Sequence, residues 1–341
     1  MADGLPLDRL EPWLAEHVPG FRGPLSISTF GVGQSNPTYR LESPSGAYVL
    51  RRRPPGNLLP SAHAVDREFR VISALAPTGF PVPHAWALCT ETEVIGSIFY
   101  VMDLVDGRIL KDGALPDLTP EQRGSIYYML TDTIADLHRI EPDAVGLSDF
   151  GRPGNYYARQ IERWTKQYRA SNPSHLPAME ALIERLPLNV PDMPRICIVH
   201  GDFRLDNLVL SHDLGHVEAV LDWELSTLGD PLSDLAYFLL SWVMPRALSP
   251  NDSGFADHDP DALGIPSRQE IIARYAQRSG SSALTGIDWR IAFNLFRLAA
   301  IYQGIAARSS AGNAVRSDAA SYGGRVAPLA ELAVGLLDAA C

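Results

Sequence analysis

Along the first hundred residues the apolar positions fall in short runs rich in β-branched and aromatic side chains, at Leu25 to Phe30, Thr38 to Leu41, Ala47 to Arg51 and Ile98 to Met102. Turn residues such as Ser43-Pro44-Ser45-Gly46 separate them, which predicts a small antiparallel sheet. One helix interrupts it: Val65, Phe69, Ile72 and Leu75 recur at helical spacing, and Ser61 can cap them.

After Asp106-Gly107 the period becomes helical. Thr119-Pro120-Glu121-Gln122 reads as a capping box with proline at the first helical position, followed by the stripe Ile126, Leu130, Ile134 and Leu137. Further helices are expected over Asn155 to Arg169, Pro177 to Leu186, Ser233 to Val243, Arg268 to Arg278, Trp289 to Arg308 and Val326 to Ala339. Pro245 to Ser267 is rich in Pro, Gly and Asp and has no hydrophobic period, so it is either a mobile surface loop or a lid over a substrate. The whole pattern is α+β: a small sheet lobe over 1–102, a connector over 103–107 and a larger, mostly helical lobe over 108–341.

Composition narrows the class. The chain has 341 residues, enough for two lobes, and 29 basic against 40 acidic residues give a net charge of −11. That balance argues against a nucleic-acid partner or a polybasic membrane anchor. Cys89, Cys197 and Cys341 show no paired spacing, which fits a reduced, cytoplasmic protein. Met1 to Leu10 has no basic or apolar run of a signal peptide. The most apolar stretch, Ile291 to Ala307, is too short for a bilayer and carries Asn294, Arg297 and Gln303, so a core helix is expected.

The chemistry concentrates in Ile198-Val199-His200-Gly201-Asp202-Phe203-Arg204-Leu205-Asp206-Asn207-Leu208 and, after a strand's length, Val220-Leu221-Asp222-Trp223-Glu224. In that order one carboxylate, Asp202, can orient and deprotonate a hydroxyl. Asn207 and Asp222 can hold Mg²⁺ on the phosphates of a nucleotide. Arg204 can reach a transferring phosphoryl group and neutralise its charge. His200 is expected to hold the loop's backbone, Asp206 either contacts substrate or faces water, and Gly229-Asp230-Pro231 and Asp234 are expected to brace the loop from a helix start.

Upstream, the Phe30-Gly31-Val32-Gly33-Gln34-Ser35-Asn36 turn offers backbone amides to phosphates through Gly31, Gly33, Gln34, Ser35 and Asn36, or is an ordinary hairpin. Tyr48-Val49-Leu50-Arg51 has the register of a strand whose last cation pairs with nucleotide phosphates and with a helix glutamate. Lys111 and Lys166 are the only lysines, so Arg51, favoured over Arg52 and Arg53 by alternation, takes that place. Arginine is forked and larger, and the exchange is not conservative. Glu68 is its natural partner, or else part of a solvated helix face. At the end of the last strand, the Asp103 carbonyl and Val105 amide are expected to bond an adenine edge, with Met102 behind it or simply in the core. Asp149-Phe150-Gly151 spells a metal motif but precedes the catalytic loop, so a structural turn is expected.

These residues make the chain similar to the aminoglycoside phosphotransferase (choline kinase-like) family over nearly its whole length. His200-Gly201-Asp202 to Asn207, Asp222 and Gly229-Asp230-Pro231 to Asp234-Leu235-Ala236 carry the likeness. The resemblance implies a two-lobed, protein-kinase-like fold that uses ATP and Mg²⁺. Gly33-Gln34-Ser35-Asn36-Pro37-Thr38-Tyr39, Arg53-Pro54-Pro55-Gly56, Phe150-Gly151-Arg152-Pro153-Gly154-Asn155-Tyr156 and Leu221-Asp222-Trp223-Glu224-Leu225-Ser226-Thr227 resemble the branch related to the kinase domain fused to acyl-CoA dehydrogenases. That branch implies a hydroxyacyl-CoA acceptor.

Arg159, Arg163 and Lys166, three or four apart on one predicted helix, form a basic face that either meets a CoA phosphate or is solvated. An aminoglycoside would prefer carboxylates, which Asp252, Asp257, Asp259 and Asp261 supply in the Pro245 to Ser267 loop. Two readings of different class stand: an active small-molecule kinase, with an aminoglycoside or choline-like alcohol as the alternative acceptor, or a nucleotide-binding pseudokinase acting as a regulatory module.

Overall fold

The computed structural model describes residues 5–30, 36–54, 64–152, 154–171, 176–193, 195–281, 284–310 and 322–339. The first part runs α1 (Leu7–His17), β1 (Ser26–Thr29), β2 (Thr38–Ser43), β3 (Gly46–Arg52), α2 (Val65–Leu75), β4 (Ala85–Cys89), the single turn α3 (Thr92–Ile95) and β5 (Phe99–Asp103). The strands form one antiparallel sheet in the order β1-β2-β3-β5-β4.

Alternation along β3 and β5 gives the sheet its two faces. Tyr48, Leu50, Phe99 and Val101 pack with Leu10, Trp13 and Leu14 of α1 on one side, while Val49, Tyr100 and Met102 pack with Val71, Ile72 and Leu75 of α2 on the other. Arg51 shares the second face with Val49. Sequence reasoning missed α1, whose Pro12 interrupts the helical pattern, and β4, where Ala85-Trp86-Ala87-Leu88-Cys89 lacks the usual β-branched alternation. The α2 cap differs from expectation too: Ser61 lies outside the described residues, and the helix starts after Ala64 with no side-chain cap.

The second part holds α4 (Pro120–Arg139), α5 (Tyr156–Ser171), α6 (Pro177–Arg185), β6 (Cys197–Val199), β7 (Leu208–Leu210), β8 (Val217–Val220), β9 (Thr227–Gly229), α7 (Pro231–Phe238), α8 (Leu240–Val243), α9 (Pro260–Leu263), α10 (Arg268–Ser279), α11 (Ile287–Ser310) and α12 (Gly323–Ala339). Both halves of the Thr119/Gln122 capping box form. Instead of one helix from Ser233 to Val243 there are two, broken after Phe238.

Helix α11 is the central strut, with Ile291, Phe293, Leu295 and Phe296 fully buried. Its polar residues are spent inside the protein: Asn294 Nδ2 donates to the Ser233 carbonyl at 2.9 Å, Arg297 to the Gly201 carbonyl, and Gln303 Nε2 to the Ser171 carbonyl at 3.2 Å. Among the described residues no helix is long and apolar enough to cross a membrane. Pro245 to Ser267, expected as a mobile loop or a lid, is anchored. Phe255 is fully buried with Ile265 beside the core, and the Phe255 amide donates to the Ser241 carbonyl at 3.0 Å.

Candidate active site

Two short antiparallel strand pairs hold the chemical residues. β6 pairs with β9 and β7 with β8, so the loop 200–207 joins one pair to the other and Asp222 stands two residues after β8. Asp222 has a left-handed backbone, φ 65°, a conformation that costs energy for a non-glycine residue and persists where the surroundings impose it. At Gly201, φ is +84° and a Cβ would meet the Leu225 carbonyl oxygen at 2.6 Å, so only glycine fits.

The loop is braced from α7 as expected. Asp234 accepts from the His200 amide at 2.5 Å and the Gly201 amide at 2.7 Å. Burial works to raise its pKa, but the hydrogen bond and charge of His138 and the nearby amides hold it below the usual carboxylate range. His200 Nδ1 accepts from the Asp202 amide at 3.2 Å, which leaves Nε2 to donate to the Leu221 carbonyl at 2.8 Å. Asp230 caps α7, and its fully buried carboxylate receives Tyr157 Oη at 2.6 Å and Arg290 Nε at 2.7 Å.

Asp202 is fixed from several sides. Asn207 Nδ2 donates to its Oδ2 at 3.1 Å and to its carbonyl at 2.8 Å, Arg204 Nε lies 3.4 Å from Oδ1, and the buried Tyr237 hydroxyl hydrogen-bonds the carboxylate. Sequence reasoning missed Tyr237, although it stands three residues after Asp234 on the same helix face. Arg204 also faces Asp206 at 3.2 Å; burial lowers its pKa, but the two carboxylates outweigh this and raise it. Burial raises the Asp206 pKa against the pull of Arg204, and Asn251 from the anchored loop donates to Asp206 at 2.5 Å.

Arg51 forks between acids. Its Nε lies 3.1 Å from Glu68 Oε2 and its Nη2 2.6 Å from Asp222 Oδ1, with Glu224 at 3.7 Å. Glu68 also accepts from Tyr100 Oη at 3.0 Å, and burial pushes its pKa up although Arg51 pulls it down. Asp222 shows the opposite balance: burial would raise it, and Arg51 carries it below the usual range.

A cavity of about 660 Å³ opens in front of these groups. Val49, Arg51 and Met102 line it from the sheet, Asp103 and Val105 from the connector, and Lys111, Arg204, Asp206, Asn207 and Asp222 from the helical part. Asn36 is not on this wall. It is fully buried, with its side-chain amide toward Glu68 at 3.5 Å and Glu224 at 3.4 Å. Gly31, Gly33, Gln34 and Ser35 lie outside the described residues.

Arg159 and Arg163 line a second cavity of about 580 Å³, on the other side of the catalytic loop, together with Gly201 and Glu224. The Asp149-Phe150-Gly151 segment takes the structural place expected of it: Phe150 lies under the Arg67 guanidinium at 4.1 Å, and Asp149 pairs with Arg70.

As oxygen donors, Asn207 and Asp222 suit a hard divalent cation. With Asn207 Nδ2 committed to Asp202, its Oδ1 is the atom left for a metal, and both residues open on the first cavity.

A small antiparallel sheet over a helical body, with this cavity between them, is a kinase-like fold. A solved candidate aminoglycoside phosphotransferase from Ralstonia eutropha superimposes with a TM-score of 0.86 at 43% identity, covering 97% of this chain and 98% of that one. Choline kinase from Cryptosporidium parvum shares the fold at a TM-score of 0.66 and 11% identity, over 98% of this chain and 99% of its own. The chain belongs to the phosphotransferase enzyme family, whose sequence model matches residues 26–268. Among curated proteins it is 44% identical to mouse acyl-CoA dehydrogenase family member 10 and 43% identical to rat acyl-CoA dehydrogenase family member 11, each over 96% of this chain. It spans 31% and 42% of the lengths of those two relatives.

Proposed function

We propose that the chain transfers the γ-phosphoryl group of ATP to a hydroxyl of a small acceptor, and that the acceptor is a hydroxyacyl-CoA thioester. One observation carries the reading of the chemistry. Asn207 holds Asp202 through its amide nitrogen while its amide oxygen and Asp222 are available on one cavity wall. The proposed base and one proposed metal ligand thereby share a single loop, and the second ligand, Asp222, faces the same cavity.

ATP lies in the first cavity with its adenine edge on the Asp103 carbonyl and Val105 amide and its phosphates toward Arg51. Asp202 takes the proton of the acceptor hydroxyl as that oxygen bonds to the γ-phosphorus. The bond to the bridging oxygen breaks, and ADP leaves with its electron pair. Arg204 neutralises charge on the group in transit. Asn207 and Asp222 would hold Mg²⁺, which would supply further charge neutralisation on the phosphates.

Two observations support the acceptor class. The curated relatives bear acyl-CoA in their names, and Arg159 and Arg163 give the second cavity a basic wall. The carboxylates that would favour a polycationic aminoglycoside are largely spent: Asp252 pairs with Arg246 at 3.3 Å, Asp257 accepts the Arg246 amide at 3.2 Å, and Asp259 caps α9. The test is a transfer screen with hydroxyacyl-CoAs, aminoglycosides and choline-like alcohols. Turnover of an aminoglycoside but of no thioester overturns the acceptor proposed.

The contact between Arg51 and Asp222 favours a second reading, a nucleotide-binding module that regulates a partner without transfer. ATP binding with no transfer to any acceptor would select it.

A further inference from the structure

The second cavity has a charge balance at odds with the chain. In a protein of net charge −11, Arg67, Arg152, Arg159, Arg163, Lys166 and Arg297 all line one space of about 580 Å³. Its lining carboxylates are Glu162 and Glu224, and Glu224 is turned toward Arg51 and Asn36.

Arg297 forms the floor. It is only 6% exposed, donates through Nη2 to the Gly201 carbonyl, and lies over the Trp164 and Tyr237 rings at 5.6 and 5.1 Å. Its buried Nε has no hydrogen-bond partner. A buried donor without an acceptor is costly, and more so when charged, so such a group is expected where a ligand completes it. At the open rim, Arg163 is lowered by partial desolvation and by the charges of Arg297 and Arg152; Arg67 is lowered by desolvation, with Arg70 and Arg152 adding to it. Like charges gathered around one cavity are the arrangement a multiply charged anion satisfies.

We propose that this cavity is a subsite for a phosphate or pyrophosphate group carried by the acceptor, with Arg297 at its floor and Arg159, Arg163 and Lys166 at its mouth. The proposal rests on the kinase reading above for the acceptor's place beside Asp202. Arg297 ties the two together, since the carbonyl it holds belongs to Gly201, the residue before Asp202. An anion seated on Arg297 is therefore registered against the catalytic loop, and the hydroxyl at the other end of the same molecule is presented to Asp202.

Inorganic pyrophosphate is the probe, titrated calorimetrically into the full chain saturated with AMP-PNP and Mg²⁺. Binding is expected, weakened about tenfold in Arg163→Gln and in Lys166→Gln, two rim positions whose exchange spares the core. No binding, loss of binding on saturation with AMP-PNP, or undiminished binding in both variants overturns the subsite. A second arm fixes the source of the anion. A hydroxyacyl-CoA and the same hydroxyacyl-pantetheine, which lacks the phosphates, are compared as acceptors. The CoA thioester is expected to have the lower KM, with Arg163→Gln raising KM for it alone. Equal KM values overturn an acceptor-borne phosphate. Turnover of neither thioester counts against the acceptor proposed above, and the pyrophosphate titration still decides the subsite.

Discussion

Arg51 Nη2 sits 2.6 Å from Asp222 Oδ1, so the strand cation and the carboxylate proposed to hold Mg²⁺ are in direct contact across the cleft. The same guanidinium reaches Glu68, and its rigid planar fork holds both acids in a fixed geometry that a compact lysine ammonium does not reproduce.

Arg51→Lys is therefore expected to keep the fold and raise KM for ATP about tenfold, because the ammonium lacks the fork that fixes the cation between the two acids and toward the phosphates. Arg51→Met strands Glu68, Asp222 and Glu224, whose carboxylate oxygens lie within 4.8 Å of one another, and is expected to cost about 3–5 kcal/mol. Steady-state kinetics for the first and urea unfolding for the second check these; equal KM values or an unchanged midpoint would contradict them.

Glu68 gives a pH dependence with a definite sign. Burial, opposed by Arg51, pushes its pKa from 4.5 up to about 7, so the folded chain holds this proton more tightly than the unfolded chain. The associated stability is fully present below pH 4.5 and lost as pH rises through about 7. Between these limits the wild type is expected to lose roughly 3 kcal/mol relative to Glu68→Gln. Urea unfolding at a series of pH values measures the difference, and a flat difference would mean Glu68 is ionised throughout.

Arg290 and Asp230 form a fully buried pair at 2.7 Å, extended by Tyr157 and by donation from Arg290 to the Thr285 and Asp192 carbonyls. Arg290→Met leaves Asp230 with an uncompensated charge and is expected to destabilise by about 3–5 kcal/mol. Thermal or urea unfolding checks it, and a loss below about 1 kcal/mol would show the pair to be dispensable.

Strand alternation alone selected Arg51 over Arg52, and β3 presents Val49 and Arg51 to the cleft and Leu50 to α1. The spacing of His200, Asp202, Asn207, Asp222 and Asp234 was legible because each occupies a loop, a strand end or the first turn of a helix next to a local hydrophobic run. The buried contact of Asn36 with Glu224 was not legible because Glu224 lies far along the chain, beyond the reach of any local pattern. Tyr237 and Arg297 read as core helix residues, since only the packing of α7 and α11 turns them to the catalytic loop. The 245–267 loop read as open because isolated anchors such as Phe255 and Ile265 leave no period.

The central claim is that Asp202 is the base of a phosphoryl transfer. The direct test is single-turnover transfer from γ-labelled ATP to the acceptor found in the screen, for the wild type and Asp202→Asn, with ATP affinity measured alongside. The account predicts a fall of about 10²–10⁴-fold in the transfer rate with ATP affinity nearly unchanged. A transfer rate in Asp202→Asn equal to that of the wild type would contradict it.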